Sequence, residues 1–173
     1  MNISLAISTT DLRDLLDHMS SSEDEQVAFL FTTLRQKGEP LVVREIYAVP
    51  PDGFIHQSPY HLALTDEVRA KVIGRATVLE ACLVEVHSHE GGPPVWFSPT
   101  DLNGFEEWVP HVRWRLGGRP YVALVFAGES FDALVWGPDS GRPRPLAQLL
   151  VDGEAKNPSG ITFERLPRSS RDG

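Results

Sequence analysis

The sequence predicts an α/β domain in which helices cover both faces of a mixed β-sheet. Helical patterns alternate along the chain with short segments rich in β-branched residues, in the order α, β, β, α, β, α, β, β. The length of 173 residues suits one domain, and 41% hydrophobic with 23% charged residues is a globular composition. We therefore expect a single domain over residues 1–173, with its core at about 10–137.

The first half of the chain is predicted to contain a helix, a β-hairpin and a second helix. Apolar residues at i, i+3, i+4 and i+7 spacing predict the first helix over residues 11–19. Residues 26–34 and 41–49 are rich in Val, Ile, Phe and Thr, and the glycine-containing turn between them predicts a hairpin. Residues 50–60 are expected to be a loop, and an acidic first turn opens the second helix over 65–79.

A strand followed by a capped helix comes next. Residues 82–86 are short, apolar and β-branched, and the Gly-Gly-Pro-Pro segment at 91–94 breaks regular structure after them. Ser98 stands at the N-cap of a third helix, with proline at the first helical position and Asp101 at the third. Pro110 is expected to kink or split this helix because proline cannot donate a main-chain hydrogen bond.

The last part of the chain is predicted to be less regular. Residues 121–126 and 131–136 read as a strand pair joined around a glycine turn. Residues 138–173 form a Pro- and Gly-rich extension with a last strand at 161–166. The final residues, 168–173, are expected to be disordered.

Charge and cysteine content exclude several classes of protein. The net charge of −8, from 16 basic and 24 acidic residues, would repel a phosphate backbone, so nucleic acid is not an expected partner. Cys82 is the only cysteine, so neither an intramolecular disulfide nor a paired-cysteine metal site can form. The N-terminus lacks a signal-peptide pattern, and no apolar run approaches the roughly 20 residues that span a bilayer. We expect a cytoplasmic protein without a membrane partner.

A pair of histidines at the end of the third predicted strand suggests a metal site. His87 and His89 lie two residues apart, so a strand directs both imidazoles to the same face. Asp101, in the first turn of the following helix, offers a carboxylate as third ligand, which leaves a fourth tetrahedral position for water. Each piece alone has a simpler interpretation, since exposed loop histidines are common and Ser98 with Asp101 also forms a helix cap.

Taken together, these residues resemble the signature of the JAB1/MPN/Mov34 (JAMM) family of zinc metalloproteases. That signature is an upstream Glu, then His-x-His, then Ser-x-x-Asp, and here Glu25, His87, His89, Ser98 and Asp101 match it. The resemblance covers residues 12–136 and is closest to small prokaryotic-type members. The spacing from the second histidine to the serine is one residue longer than the family pattern, and Ala28, three residues after Glu25, stands where glycine is usual.

The resemblance implies a fold, a cofactor and a reaction. The fold would be the three-layer MPN domain of the cytidine-deaminase-like type. His87, His89 and Asp101 would bind one zinc ion, with Glu25 as general base and Ser98 as the hydroxyl that stabilises an oxyanion. The protein would be an isopeptidase that cleaves after the C-terminal glycine of a ubiquitin-like protein, in deconjugation or precursor processing. The modifier or its conjugates, and associated activating or conjugating enzymes, would be its partners.

Several alternatives stay open at this stage. The same site would serve a peptidase that releases a C-terminal amino acid from a sulfur-carrier protein, and an MPN domain without metal would be a binding scaffold. Glu23 and Asp24 are near alternatives to Glu25, and Glu45 is a remote one. Trp96 and Phe97 would line a substrate groove, although aromatic residues beside a strand are more often part of the core.

Overall fold

The computed structural model describes residues 2–33 and 36–167 of the chain. Within these residues, nine strands form one sheet, two form a separate hairpin, and four α-helices accompany them. The strands are β1 (Leu5–Ile7), β2 (Val27–Thr33), β3 (Leu41–Ala48), β4 (Phe54–Gln57), β5 (Leu62–Leu64), β6 (Cys82–Ser88), β7 (Tyr121–Ala127), β8 (Ser130–Trp136), β9 (Arg144–Pro145), β10 (Leu149–Val151) and β11 (Glu154–Lys156). The helices are α1 (Thr9–Met19), α2 (Asp66–Val78), α3 (Pro99–Arg115) and α4 (Ile161–Arg165). None of these helices combines the length and the hydropathy that crossing a membrane requires.

The large sheet is mixed, with strand order β11-β10-β1-β3-β2-β6-β7-β8-β9. Strand β1 runs parallel to both β10 and β3, and β6 runs parallel to β7, while the other neighbouring strands are antiparallel. The hairpin of β4 and β5 stands outside this sheet. The central position of β2 and β6 places the ends of these two strands in the middle of the domain.

Two hydrophobic cores lie on opposite faces of the sheet. In β2, Val27, Phe29 and Phe31 pack into a core shared with α2 and α3, whereas Ala28 and Leu30 pack into a core shared with α1. Successive side chains of a strand point to opposite faces, so a strand apolar on both must be covered on both. The expected α/β arrangement with helices on both faces is confirmed.

The predicted hairpin, the three longer helices and the strands at 82–86, 121–126 and 131–136 are confirmed within a few residues. The expectation of a loop over 50–60 is wrong in part, because β4 lies there and pairs with β5. Both strands are very short and pair with each other, outside the large sheet. They are too short to show a hydrophobic alternation in the sequence.

Pro110 does not split α3, which runs as one helix from Pro99 to Arg115. Val109 and Val112 flank the proline and are buried against the sheet, while Pro110 itself faces solvent. The main-chain hydrogen bond that proline cannot form is therefore lost on the wet side of the helix. Packing of the apolar face holds the helix together across this position.

The core extends beyond the predicted bounds of 10–137 at both ends. Leu5 and Ile7 of β1 are buried, and Leu149 and Val151 of β10 are buried beside them. The register pairs Leu5 with Leu149, so the two ends of the chain join in one part of the sheet. Three-residue strands are too short to show a period, and here each is stabilised by a partner distant in the sequence.

The strand predicted at 161–166 is wrong, because Ile161–Arg165 forms the short helix α4. Gly160 precedes it with a φ of 73°, a left-handed conformation that glycine adopts readily. The buried Asp132 carboxylate accepts hydrogen bonds from the backbone of Gly160 and Thr162. A tertiary contact therefore overrides the local pattern. The expectation of disorder at 168–173 lies outside the described residues.

Candidate metal centre

The antiparallel pairing of β2 with β6 brings the upstream glutamate to the histidine pair. Val27 lies opposite His87 in the register, so continuing the two chains places Glu25 opposite His89. The main chains remain joined here, since the Ser88 N–H donates to the Gln26 carbonyl at 3.1 Å and the Gln26 N–H donates to the Ser88 hydroxyl at 2.9 Å. The position of Glu25 therefore follows from strand register.

The two histidines and Asp101 bring their polar atoms to one point. The Nε2 atoms of His87 and His89 are 3.2 Å apart. His89 Nε2 lies 3.1 Å from Asp101 Oδ2, and His87 Nε2 lies 3.4 Å from Asp101 Oδ1. These three side chains are the group of His, Cys, Asp and Glu residues in the described chain that could hold a metal ion.

The spacing of these atoms fits a tetrahedral ion. Zinc binds imidazole nitrogen and carboxylate oxygen at about 2.0–2.2 Å, which places two tetrahedral ligand atoms about 3.3 Å apart. The two imidazole nitrogens are 3.2 Å apart and His89 Nε2 lies 3.1 Å from Asp101 Oδ2, both near that value. His87 faces the other carboxylate oxygen, Asp101 Oδ1, at 3.4 Å. Two nitrogens and one oxygen are also the donor types that zinc accepts, and three protein ligands leave one coordination position open. The residues therefore fit a metal ion, and the predicted ligand set is brought together.

Asp101 is held in place by the start of α3. Its backbone N–H donates to the Ser98 hydroxyl oxygen at 3.1 Å, and its Oδ2 accepts from the Ser98 N–H at 2.7 Å, which makes a reciprocal capping box. Burial would raise the pKa of the Asp101 carboxyl, but the His87 and His89 imidazoles and the Ser98 N–H bring that pKa well below its usual range. The cap therefore presents a carboxylate to the histidines.

The pKa of His87 is also shifted by the charged groups of the site. Burial would lower the pKa of His87, which is 3% exposed, but the nearby carboxylates of Asp101, Glu85 and Glu25 outweigh burial and raise that pKa. A proton and a metal ion compete for the same nitrogen. This arrangement of carboxylates thus favours a positive charge at the position between the ligands.

Glu25 is buried beside the three candidate ligands without a hydrogen-bond donor. Its side chain is 7% exposed, and its Oε1 lies 3.8 Å from His89 Nε2. No residue in the described ranges 2–33 and 36–167 donates a hydrogen bond to this carboxylate. Desolvation raises the pKa of Glu25 above its usual range, even though the two histidines act in the opposite direction. A carboxylate in this state is a better proton acceptor than an exposed one.

Two cavities meet at Glu25. The larger, about 740 Å³, also touches Ser88 and His89 and runs along α1 to the β10–β11 turn. The smaller, about 290 Å³, touches His87, Ser98 and Asp101 and is bordered by the β4–β5 hairpin. The candidate ligands therefore lie between two spaces, each of which gives access to the same carboxylate.

A hydrogen-bond chain that the sequence analysis did not single out borders the smaller cavity. Glu85 precedes His87 by two residues in β6 and accepts a 2.6 Å hydrogen bond from the Tyr121 hydroxyl. The Trp108 indole N–H donates to the same hydroxyl at 2.8 Å. Strand alternation alone would have placed Glu85 on the face of His87, so the Glu-x-His spacing was the available signal.

The alternative acids do not take the position of Glu25. Glu45 of β3 is half-buried and binds the Arg75 guanidinium at 2.6 Å. Glu23 and Asp24 border the larger cavity but are not among the groups that approach the histidines. Of the four acids considered from the sequence, Glu25 is the one that the fold brings to the candidate ligands.

The two aromatic residues before Ser98 do not border either cavity. Phe97 is buried in the core, with its ring centroid 5.6 Å from that of His87 and 5.3 Å from that of Phe105. Trp96 is half-buried, and its ring lies 4.3 Å from the Arg165 guanidinium carbon. Their contacts are with the protein itself, and Phe97 supports a candidate ligand.

The chain was compared with known proteins. No family model matches the sequence, and no curated protein matches it at a significant level. Among solved structures, it is similar to the solution structure of protein DSY2949 from Desulfitobacterium hafniense, with a TM-score of 0.55 and 14% identity. The likeness covers 88% of this chain and 94% of that one, and it concerns the fold alone.

Proposed function

We propose that this protein is a zinc-dependent isopeptidase of the JAMM family, built on the MPN fold, that cleaves after the C-terminal glycine of a ubiquitin-like protein. The observation that carries the proposal is the Glu25 carboxylate, which accepts no hydrogen bond from the described residues and lies beside three candidate ligand atoms within 4.8 Å of one another. A structural carboxylate is usually hydrogen-bonded by the protein, whereas this one borders two cavities without a donor from the described residues. Hydrolysis requires such a group.

The proposed chemistry assigns a separate task to each residue. His87, His89 and Asp101 hold the zinc ion, which when bound lowers the pKa of water to about 7 and polarises the scissile carbonyl. Glu25 accepts the proton of the attacking water and passes it to the amine that leaves. Its raised pKa suits this double task, because the group must both take up and release a proton near neutral pH.

Ser98 supplies a hydrogen bond to the oxygen that becomes negative. Its Oγ accepts the N–H of Asp101, and no described residue accepts the hydroxyl proton. That proton is free to point into the smaller cavity, which Ser98 borders. A donor at such a position contributes about 3–4 kcal/mol to the stability of a tetrahedral transition state.

The two cavities support cleavage inside a longer chain. An isopeptide substrate extends in both directions from the bond that breaks, so the site must be open on both sides of its base. Glu25 borders both the 740 Å³ and the 290 Å³ cavity, with the candidate ligands between them. A site that was open on only one side of Glu25 would instead favour release of a single terminal residue.

The test combines metal content with cleavage. Protein purified without a metal-affinity step is analysed for zinc by plasma mass spectrometry, then incubated with a panel of ubiquitin-like proteins fused through their terminal glycine to a reporter. We expect one zinc ion per chain and cleavage after the glycine that stops with a chelator and returns with zinc. Glu25→Gln should abolish cleavage, while Glu45→Gln, at a half-buried acid of β3 paired with Arg75, serves as the matched control. Zinc without cleavage of any fusion would disprove the isopeptidase assignment.

A further inference from the structure

The loop that leads into the metal centre is held by the C-terminal part of the chain. Residues 95–97 are the last three of the segment 90–97 that connects the histidine pair to Ser98, and each of them contacts one residue of the segment 159–165. The Ser159 hydroxyl donates to the Val95 carbonyl at 2.8 Å. The Phe97 N–H donates to the Thr162 hydroxyl oxygen at 2.9 Å. The third contact is the Arg165 guanidinium over the Trp96 ring. We name the segment 159–165 the latch.

The latch is itself anchored on strand β8. Asp132, which is 1% exposed, accepts hydrogen bonds from the backbone N–H of Gly160 at 3.0 Å and of Thr162 at 2.9 Å. The Ser159 N–H donates to the Phe131 carbonyl at 2.9 Å. Thr162 is 2% exposed, so water cannot replace its contacts. The latch is therefore tied to the sheet at one side and to the loop at the other.

Phe97 connects the latch to the candidate ligands. Its ring packs against the His87 ring, and its main chain leads directly into Ser98, whose N–H holds the Asp101 carboxylate at 2.7 Å. Two of the three candidate ligands thus depend on where Phe97 lies. The hydrogen bond from the Phe97 N–H to Thr162 is the one contact of this main chain with a buried side chain of the latch.

We propose that Thr162 is a positioning residue for the metal centre: Asp132 holds its backbone N–H, and its hydroxyl accepts the Phe97 N–H and so positions the His87 ring and the Asp101 carboxylate. Partners one step removed from a metal site typically change affinity by 10–100-fold when they are lost. Thr162 acts at one further remove, so we expect about 10-fold weaker zinc binding without its hydroxyl. The inference rests on the metal centre of the proposed function but not on its substrate.

The test uses the full chain and a pair of substitutions at one position. Thr162→Val preserves shape and removes the hydroxyl, whereas Thr162→Ser retains it. Zinc affinity is measured by competition with a chromophoric chelator, and the geometry by the absorption spectrum of the cobalt-loaded protein. We expect Thr162→Val to bind zinc about 10-fold more weakly with an altered cobalt spectrum, and Thr162→Ser to restore both. Thr77→Val, which removes a hydroxyl-to-carbonyl hydrogen bond in α2, is the matched control and should change neither.

A second measurement needs no metal. Amide hydrogen exchange in the metal-free protein should be faster at Phe97 and Ser98 in Thr162→Val than in the parent chain, by about 10-fold. If Thr162→Val does not fold, Thr162→Ala removes the same hydroxyl with a smaller side chain and is expected to speed exchange in the same loop. Folded Thr162→Val, or Thr162→Ala in its place, with parental exchange and parental zinc affinity would overturn the inference. Zinc binding without cleavage by the parent chain would overturn the proposed function alone.

Discussion

Two buried polar clusters lie near each other in this fold and differ in how their hydrogen bonds are completed. Both carboxylate oxygens of Asp132 accept hydrogen bonds from backbone N–H groups, so the protein itself satisfies this carboxylate. In the metal centre, two imidazole nitrogens and a carboxylate point at one another, and Glu25 has no donor among the described residues. The first cluster is complete without a ligand, and the second is arranged around a position that a cation would fill.

This difference separates stability from function. A buried group that is fully hydrogen-bonded stabilises the fold, and its removal leaves partners unpaired at a cost of about 1–3 kcal/mol. A cluster that needs an added ion adds little stability before the ion is bound. Substitution of Asp132 should therefore change the free energy of unfolding of the metal-free protein, and substitution of His89 should change it much less.

The largest expected effect is the loss of the metal. His89→Ala removes one of three ligands, so zinc content should fall from one ion per chain to none, while the unfolding temperature of the metal-free protein stays close to that of the parent. Plasma mass spectrometry and thermal unfolding with and without zinc measure the two quantities. His111→Ala, an exposed histidine of α3, is the control that should retain zinc. A large loss of stability in metal-free His89→Ala would break the comparison.

The next effect is on rate alone. Glu25→Gln preserves the size of the side chain and removes its basicity, so cleavage should slow by about 10²–10⁴-fold while zinc content is unchanged. Rates on a glycine-linked fusion and metal analysis of the same sample check this. A variant that loses zinc together with activity would show instead that Glu25 is a ligand.

The third effect is on stability. Asp132→Asn replaces one acceptor oxygen by an NH₂ group that faces backbone N–H donors, so the free energy of unfolding without metal should fall by about 2–3 kcal/mol. Urea unfolding followed by circular dichroism measures it. The exposed Asp139→Asn should leave the midpoint unchanged. Equal midpoints for all three proteins would mean that the Asp132 cluster contributes nothing to the fold.

The smallest effect is a pH dependence with opposite signs for metal-free stability and metal affinity. The folded-state pKa of His87 is raised above 6.5, its ordinary value, so the stability it contributes is fully present below that pH and lost as the pH rises through the folded pKa. Asp101, whose pKa is lowered, stays ionised throughout this window. Zinc requires neutral imidazole, so its affinity should rise over the same window.

Urea midpoints and zinc affinities at several pH values above 6 test these two signs. His87→Gln should flatten the pH dependence of the metal-free midpoint, because the titrating group is gone. A metal-free protein whose midpoint rises across this window would contradict the assignment of the raised pKa to His87.

Much of the fold was predictable because its cues are local. The long strands and helices of the core carry alternation or helical periodicity within one segment, and Ser98 with Asp101 carries a cap. The segments whose structure differs from the sequence prediction lack such local cues. Strand β1 has three residues, and α4 has a strand-like sequence that backbone hydrogen bonds to Asp132 hold as a helix.

The sequence by itself determined the chemistry available at the candidate site. Strand alternation set His87 and His89 on one face, and a helix cap set the Asp101 carboxylate, because both depend on residues within one turn or one strand. Only the tertiary structure decided that Glu25 faces His89, since that follows from the register between β2 and β6. The same holds for the latch and for the two cavities, because each is built from segments far apart in the chain whose contact depends on long-range packing.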